Sequence, residues 1–201
     1  MNLKNNLETE TENRNLTICY RVGNKLYLNI TNKCSCNCVF CIRKNSDGVY
    51  GSGSLWLSHE PTLEEVFKSL DTVDLDEYTE VVFCGYGEPL ERFDDVVKIA
   101  EYIKAKSNIF IRVNTNGLSE KILPEKIINS VSVSLNASNK EEYFEITGSR
   151  DFDLMLNFAK KCKEKGIKTF FTVVDMFTDD LSACRKLADD LGIKLRVRQY
   201  E

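Results

Sequence analysis

Residues 80–106, EVVFCGYGEPLERFDDVVKIAEYIKAK, contain in one stretch the two kinds of pattern on which the fold depends. The segment EVVFC (80–84) is short and rich in β-branched and aromatic residues, which is typical of a buried strand. A glycine-containing turn follows it, and apolar residues then recur at helical spacing from Phe93 to Lys106, at Val96, Val97, Ala100 and Ile103. The stretch therefore predicts one strand–turn–helix unit.

The same alternation extends in both directions from this unit. Further strands are predicted at residues 26–30, 109–113, 130–135, 168–174 and 194–197. Further helices are predicted after Thr62, near Pro124 (a short one), and at 140–146, 152–165 and 181–191, the last two closed by Gly166 and Gly192. Strands separated in this way by helices predict a parallel sheet with right-handed crossovers rather than hairpins.

Six such units fall short of the eight that close a complete β/α barrel. The repeat alone leaves two architectures open, a doubly wound open sheet and a partial barrel. In both architectures, functional groups gather at the carboxyl ends of the strands.

The composition limits the class of protein. The chain has 201 residues, which suits a single domain at residues 17–201 preceded by a polar tail at 1–16 that we expect to be flexible. A net charge of −4 disfavours binding to nucleic acid through a broad basic surface. No apolar run reaches the roughly 18–20 residues of a membrane span, and no apolar signal segment opens the sequence. We therefore expect a cytoplasmic protein with no membrane partner.

Four of the eight cysteines crowd into the segment CSCNCVFC (34–41), directly after the first predicted strand. Disulfide frameworks spread their cysteines along the chain, so this crowding indicates a metal site. Cys34, Cys38 and Cys41 have the spacing C-x3-C-x2-C, and three thiolates can hold three irons of a [4Fe–4S] cluster while one iron stays open. The alternative is a structural zinc site that also uses Cys36, although zinc ligands usually come as pairs about two to four residues apart.

Three further polar segments end the next three predicted strands. They are GYGEP (85–89), NTNG (114–117) and SLN (134–136). Glycines allow a backbone to approach a ligand closely, and the carboxylate of Glu88 can accept hydrogen bonds from an ammonium group. Each segment is weak evidence alone, but their consecutive order predicts that they share one rim with the cysteines.

Together these motifs resemble the radical S-adenosylmethionine (SAM) superfamily, over roughly residues 24–200. The resemblance implies a partial (β/α)6 TIM-type barrel with a parallel six-stranded sheet. It makes Cys34, Cys38 and Cys41 the cluster ligands, with the aromatic Phe40 before the last cysteine. The implied SAM contacts are Gly85, Gly87 and Glu88 for the amino group, Thr115, Asn116, Ser134 and Asn136 for the ribose and carboxylate, and Arg150 for the carboxylate.

The resemblance also implies a reaction. A reductant of the flavodoxin or ferredoxin type would supply one electron, SAM would be cleaved to methionine and a 5′-deoxyadenosyl radical, and that radical would abstract hydrogen from the substrate. The substrate is unknown, and a laterally open barrel is compatible with a macromolecule. Within the superfamily, the segments LWL (55–57), EPT (60–62) and FCGYGEPLER (83–92) look most like small radical SAM proteins associated with TatD-type nucleases, a match that identifies no reaction.

Several alternatives stay open at this point. The chain is either such an enzyme or a non-catalytic zinc or iron–sulfur module. If it is an enzyme, it is either a glycyl-radical activase or a modifier of a small molecule or nucleotide.

The other four cysteines are scattered, so an auxiliary cluster is not expected. Trp56 either covers the site or anchors its loop, while Val173 and Val174 pack on adenine or in the core. The only histidine, His59, is expected on the surface.

Overall fold

The computed structural model describes residues 16–177 and 181–199, which form one seven-stranded sheet with helices packed against it. The strands are β1 (Cys19–Val22), β2 (Lys25–Leu28), β3 (Glu80–Phe83), β4 (Phe110–Thr115), β5 (Ser130–Ser134), β6 (Lys168–Val174) and β7 (Lys194–Arg198). The helices are α1 (Leu63–Asp71), α2 (Phe93–Lys106), α3 (Lys140–Thr147), α4 (Phe152–Glu164) and α5 (Leu181–Asp190). The strands lie in the sheet in the order of the sequence.

Strands β2 to β7 are the six predicted strands, and every neighbouring pair among them is parallel. This confirms the predicted α/β fold with a parallel sheet. The structure adds β1, which pairs with β2 in an antiparallel hairpin across the turn Gly23-Asn24. Gly23 has φ of +59°, a conformation that suits glycine in a two-residue hairpin turn. Four residues without clear alternation gave no strand signal, so the sequence did not reveal this edge strand.

The predicted start of α1 is confirmed in detail. The hydroxyl of Thr62 accepts a hydrogen bond from the Glu65 amide, and the Glu65 carboxylate accepts one from the Thr62 amide. Such a capping box contributes about 1 kcal/mol to helix stability. The short helix expected near Pro124 is absent from the structure, because only a single turn fits there before β5 begins at Ser130.

The core lies between the helices and one face of the sheet. On β4, for example, Ile111 and Val113 are buried against α2, which contributes Ile99 and Ile103. Each such side chain stabilises the fold by about 1.5–3 kcal/mol when removed from water. Of the predicted apolar face of this helix, Val96, Ala100 and Ile103 are buried and Val97 is only partly buried, while Ile99 is buried in addition.

The other face of the sheet lines the inside of the barrel and carries both polar and aromatic side chains. Because side chains alternate along a strand, Arg112 and Asn114 of β4 lie on this inner face. Among the described residues, no helix has the length and apolar character needed to cross a bilayer.

Candidate active site

The cysteine loop leaves the carboxyl end of β2 and folds back on itself. Cys34, Cys38 and Cys41 are partly exposed, whereas Cys36 is buried. A short 3₁₀ helix, Ile42–Lys44, begins directly after Cys41. Its basic side chains lie beside the cysteine loop. The ammonium of Lys44 donates to the carbonyl of Cys38 over 2.8 Å, so a positive charge lies beside the thiols.

Two of the thiols on this loop ionise readily. Hydrogen bonding with Cys36 lowers the pKa of Cys34 to about 6 and also lowers the pKa of Cys38. The same contacts raise the pKa of Cys36, so Cys36 retains its proton. Burial raises the pKa of Cys41. Thiolate is the form that binds iron, and a bound metal would itself ionise the thiols that hold it.

The donor set suits an iron–sulfur cluster, because it consists of thiols on one short loop. Within residues 16–177 and 181–199, no three His, Cys, Asp or Glu side chains converge closely enough to hold a single metal ion.

The segment GYGEP packs against the chain that leads into the cysteine loop. A Cβ atom on Gly87 would lie 2.3 Å from the Thr31 carbonyl oxygen, and one on Gly85 would lie 2.1 Å from Oδ1 of Asn29. The amide of Glu88 donates to the Lys33 carbonyl over 2.7 Å. Both glycines are thus needed for contact with the protein itself, a role that is separate from their predicted contact with a ligand.

Glu88 is buried and held by hydrogen bonds from its own chain. Its Oε1 accepts from the Thr115 hydroxyl over 2.7 Å and from the Leu90 amide over 3.0 Å, and its Oε2 accepts from the Asn116 amide over 2.7 Å. Burial raises the pKa of Glu88 to about 7 despite these donors. A carboxylate has about four acceptor positions, so Oε2 retains one for a further donor.

Asn116 connects this carboxylate with the cysteine loop. Its side-chain amide donates to the Ser35 hydroxyl over 3.2 Å and lies 3.5 Å from the Cys36 sulfur. The structure therefore brings Glu88, Thr115 and Asn116 together and places them beside the cysteines, as their positions at strand ends predicted. The hydroxyl of Thr115 also accepts a hydrogen bond from the Gly117 amide, so this side chain is occupied within the protein.

Ser134 and Asn136 follow on the same rim, at the end of β5. Ser134 is the last residue of the strand and is half-buried. Asn136 is buried with φ of +60°, a left-handed conformation that is uncommon for a residue other than glycine and is often found at functional sites.

Two other predicted cofactor contacts lie away from these hydrogen bonds. Arg150 is exposed, and its guanidinium lies over the ring of Phe144 on α3, 4.3 Å from the centroid. Phe40 is partly buried and packs against the main core.

Sequence reasoning missed the residues that hold the site together. Asn29 is fully buried at the end of β2; its side chain donates to the Leu55 carbonyl over 2.8 Å and accepts from the Tyr86 amide over 3.3 Å. Asn32 joins the same loop by exchanging hydrogen bonds with Leu57. An amide side chain at the end of an otherwise apolar strand was the available signal.

The remaining candidate residues make contacts within the protein. Trp56 is partly exposed and packs edge-on against Tyr86, with ring centroids 5.1 Å apart. The imidazole of His59 is exposed and lies 2.9 Å from the Glu65 carboxylate. Val173 is fully buried in the core, and Val174 is half-buried. The positions of Trp56 and Val173 favour their structural interpretations.

Comparison with known proteins agrees with this arrangement. The family model described as "Radical SAM superfamily" matches residues 28–191. A probable GTP 3′,8-cyclase of Methanocaldococcus jannaschii is 30% identical over 182 residues, which cover 87% of this chain and 58% of that protein. The chain thus spans little more than half the length of this relative.

Solved structures show the same fold at low identity. Methylornithine synthase (PylB) has a TM-score of 0.64 and 14% identity, and the match covers 100% of this chain and 61% of that one. The structure of anSMEcpe with bound AdoMet has a TM-score of 0.61 and 18% identity, and the match covers 87% of this chain and 50% of that one. The family match, together with a cysteine-rich loop on the rim of a partly closed β/α barrel, leads to one conclusion: the chain belongs to the radical SAM superfamily of enzymes, which use a [4Fe–4S] cluster and SAM.

Proposed function

We propose that Cys34, Cys38 and Cys41 hold the [4Fe–4S] cluster of this enzyme and that the adjoining rim binds SAM. The observation that carries the proposal is the double role of Asn116. Its amide nitrogen fixes Glu88, and its side chain contacts the cysteine loop at Ser35 and Cys36. A buried carboxylate is thereby held next to three clustered thiols.

When bound, the cluster and SAM supply reductive cleavage of SAM to methionine and a 5′-deoxyadenosyl radical, which abstracts hydrogen from the substrate. The residues of the chain bind and orient SAM for this step. Glu88 uses its remaining acceptor position for the SAM ammonium group, which would also relieve the burial of its charge. Thr115 positions Glu88, while Ser134 and Asn136 supply polar contacts to the ribose and carboxylate. Gly85 and Gly87 allow this backbone to lie against the cysteine loop, and Arg150 would have to leave Phe144 to reach SAM.

The partners of the enzyme follow from this chemistry. A flavodoxin or ferredoxin-type protein is the proposed reductant, and the cytoplasm is the proposed compartment because thiols stay reduced there. The likeness to GTP 3′,8-cyclases favours a nucleotide or small molecule over a partner protein as substrate. The narrower likeness to TatD-associated proteins rests only on segments 55–57, 60–62 and 83–92.

Anaerobic reconstitution tests the assignment. The wild-type chain should take up about four irons and form 5′-deoxyadenosine from SAM on reduction. Replacement of Cys38 by Ala should abolish both, whereas Cys36→Ala, the matched control on the same loop, should retain most of both. Loss of the cluster in Cys36→Ala with retention in Cys38→Ala would overturn the ligand assignment.

A second candidate function uses all four thiols, and it is favoured by the contacts of Cys36 with both Cys34 and Cys38. In that case the chain would be a non-catalytic zinc or iron–sulfur module. A protein reconstituted without oxygen that holds zinc, lacks iron and leaves SAM intact would support this alternative.

A further inference from the structure

The amino-terminal end of the barrel contains a cavity of about 160 Å³ that the proposed chemistry does not use. It is lined by the first residue of each of five consecutive strands, β2 to β6: Lys25, Glu80, Phe110, Ser130 and Lys168. The cysteine loop and GYGEP lie at the opposite ends of the strands. Along the six residues of β4, the two ends are separated by roughly 17 Å.

The cavity is strongly basic in a chain that is acidic overall. Four cations line it, Lys25, Arg112, Lys168 and Arg196, against the single carboxylate of Glu80. The formal charge of the lining is therefore +3 (four positive, one negative), while the whole chain carries −4. Like charges gathered in a partly enclosed space repel one another, and an anion would offset that repulsion.

The carboxylate of Glu80 neutralises only part of this positive charge. Its two oxygens are shared between Lys25, at 3.0 Å, and Arg112, at 3.0 Å. The side chain of Arg112 is only 11% exposed. Its Nε faces a Glu80 oxygen in this ion pair, in a geometry that falls short of a hydrogen bond. One carboxylate therefore pairs with two of the four cations that line the cavity.

Lys168 and Arg196 both lie close to the same aromatic ring. The guanidinium of Arg196 is 3.6 Å from the centroid of Phe170, and the ammonium of Lys168 is 5.5 Å from it. Neither cation has an acidic partner among residues 16–177 and 181–199. Burial and the nearby Arg112 charge lower the pKa of Arg196, although the Glu80 carboxylate acts in the opposite direction. Their hydrogen-bond donors thus remain available at the cavity.

We propose that this cavity is a binding site for a phosphoryl group, held by Arg112, Lys168 and Arg196 with the Ser130 hydroxyl. Arginine presents paired N–H donors that match the geometry of phosphate oxygens, and lysine adds a point charge. The cavity volume accommodates one phosphoryl group, with Phe110 at its wall. The site is separate from the proposed SAM site, and it does not depend on the identity of the substrate.

Titration of the reconstituted holoenzyme with inorganic phosphate at constant ionic strength tests the proposal. Calorimetry and the phosphorus NMR line should show saturable binding that sulfate competes away and chloride does not. The double variant Lys168→Gln/Arg196→Gln should bind roughly tenfold more weakly or worse, since two charge-assisted contacts are lost. Lys160→Gln, on the exposed surface of α4, is the matched control and should bind as the wild type does.

Two further measurements complete the test. A nucleoside monophosphate that binds more tightly than inorganic phosphate would identify a nucleotide as the source of the phosphoryl group, and equal or weaker binding would identify free phosphate. Iron content and 5′-deoxyadenosine formation without added phosphate should be the same in the double variant and the wild type, which shows that the variant folds. Absence of saturable binding, or equal binding by the folded double variant, would overturn the proposal.

Discussion

The hydroxyl of Thr115, at the end of β4, donates a hydrogen bond to Oε1 of Glu88 over 2.7 Å, although 27 positions separate the two residues in sequence. This bond links the ends of two neighbouring strands and fixes the direction of the only buried carboxylate described beside the cysteine loop. The first prediction concerns this bond.

Replacing Thr115 by Val removes the hydroxyl while keeping the shape of the side chain. The change leaves Glu88 with one donor fewer and the Gly117 amide without its acceptor. We expect the free energy of unfolding to fall by about 2 kcal/mol and SAM affinity to fall with it, because both groups are buried. Thr115→Ser keeps the hydroxyl and should lose less than half as much. Equal losses in urea denaturation of the two variants would show that the hydrogen bond is not the cause.

The stability of the SAM-free protein should depend on pH through Glu88. Burial raises the pKa of its carboxyl group to about 7 in the folded chain, from 4.5. Below pH 4.5 the group is protonated in both states. As the pH rises towards 7, the unfolded chain loses this proton first, so stability falls across that window and is level above it. The loss should be about 3 kcal/mol, and Glu88→Gln should abolish this part of the pH dependence. Parallel unfolding curves for the two proteins at all pH values would contradict the assignment.

Gly87 lies so close to backbone atoms that the site has no room for a side chain there. A Cβ atom there would lie 2.3 Å and 2.6 Å from the carbonyl oxygens of Thr31 and Lys33, which are backbone atoms just before Cys34. We expect Gly87→Ala to displace this segment and to reduce iron uptake by roughly tenfold, with about 2 kcal/mol or more lost in stability. Gly51→Ala is the control: nothing lies within 4 Å, and its φ of +79° should cost only about 1 kcal/mol. Iron uptake as high in Gly87→Ala as in Gly51→Ala would refute this prediction.

Trp56 is the only tryptophan and reports on the loop that packs over GYGEP. The hydroxyl of Tyr86 donates to the Ser46 carbonyl of the same loop. Tyr86→Phe should keep the ring contact and the emission of Trp56, whereas Tyr86→Ala should expose the indole and shift its fluorescence to longer wavelength. No shift in Tyr86→Ala would mean that the loop stays in place without this ring.

The strands and helices were predictable because their signals are local. Each signal is contained within a few residues. Examples are the alternation of β-branched runs with amphipathic segments, the capping box at Thr62 and the glycine that ends α4. The hairpin strand β1 escaped prediction, because its pairing with β2 is an edge contact of only four residues.

The sequence predicted where the site lies, but it did not predict which residues contact one another there. Strand ends placed Cys34, Glu88 and Asn116 on one rim, but two of the three donors that surround Glu88 come from a distant part of the chain, at the end of β4. The glycines of GYGEP were expected to approach a ligand, whereas the space beside them is filled by Asn29, Thr31 and Lys33. Contacts between distant segments decide these details, and a single sequence does not display them.

The cysteine loop also reaches across the open end of the barrel. The amides of Asn37 and Val39 donate to the carbonyls of Thr147 and Ile146, at the end of α3, over 2.8 Å and 2.9 Å. Because β2 lies near one edge of the sheet and α3 follows β5, this pair of bonds ties the first strand-and-loop unit to the fourth. Any motion that widens the gap between those units must stretch the segment that carries the thiols. Widening of the open side of the barrel would therefore change the positions of the cysteines on this loop.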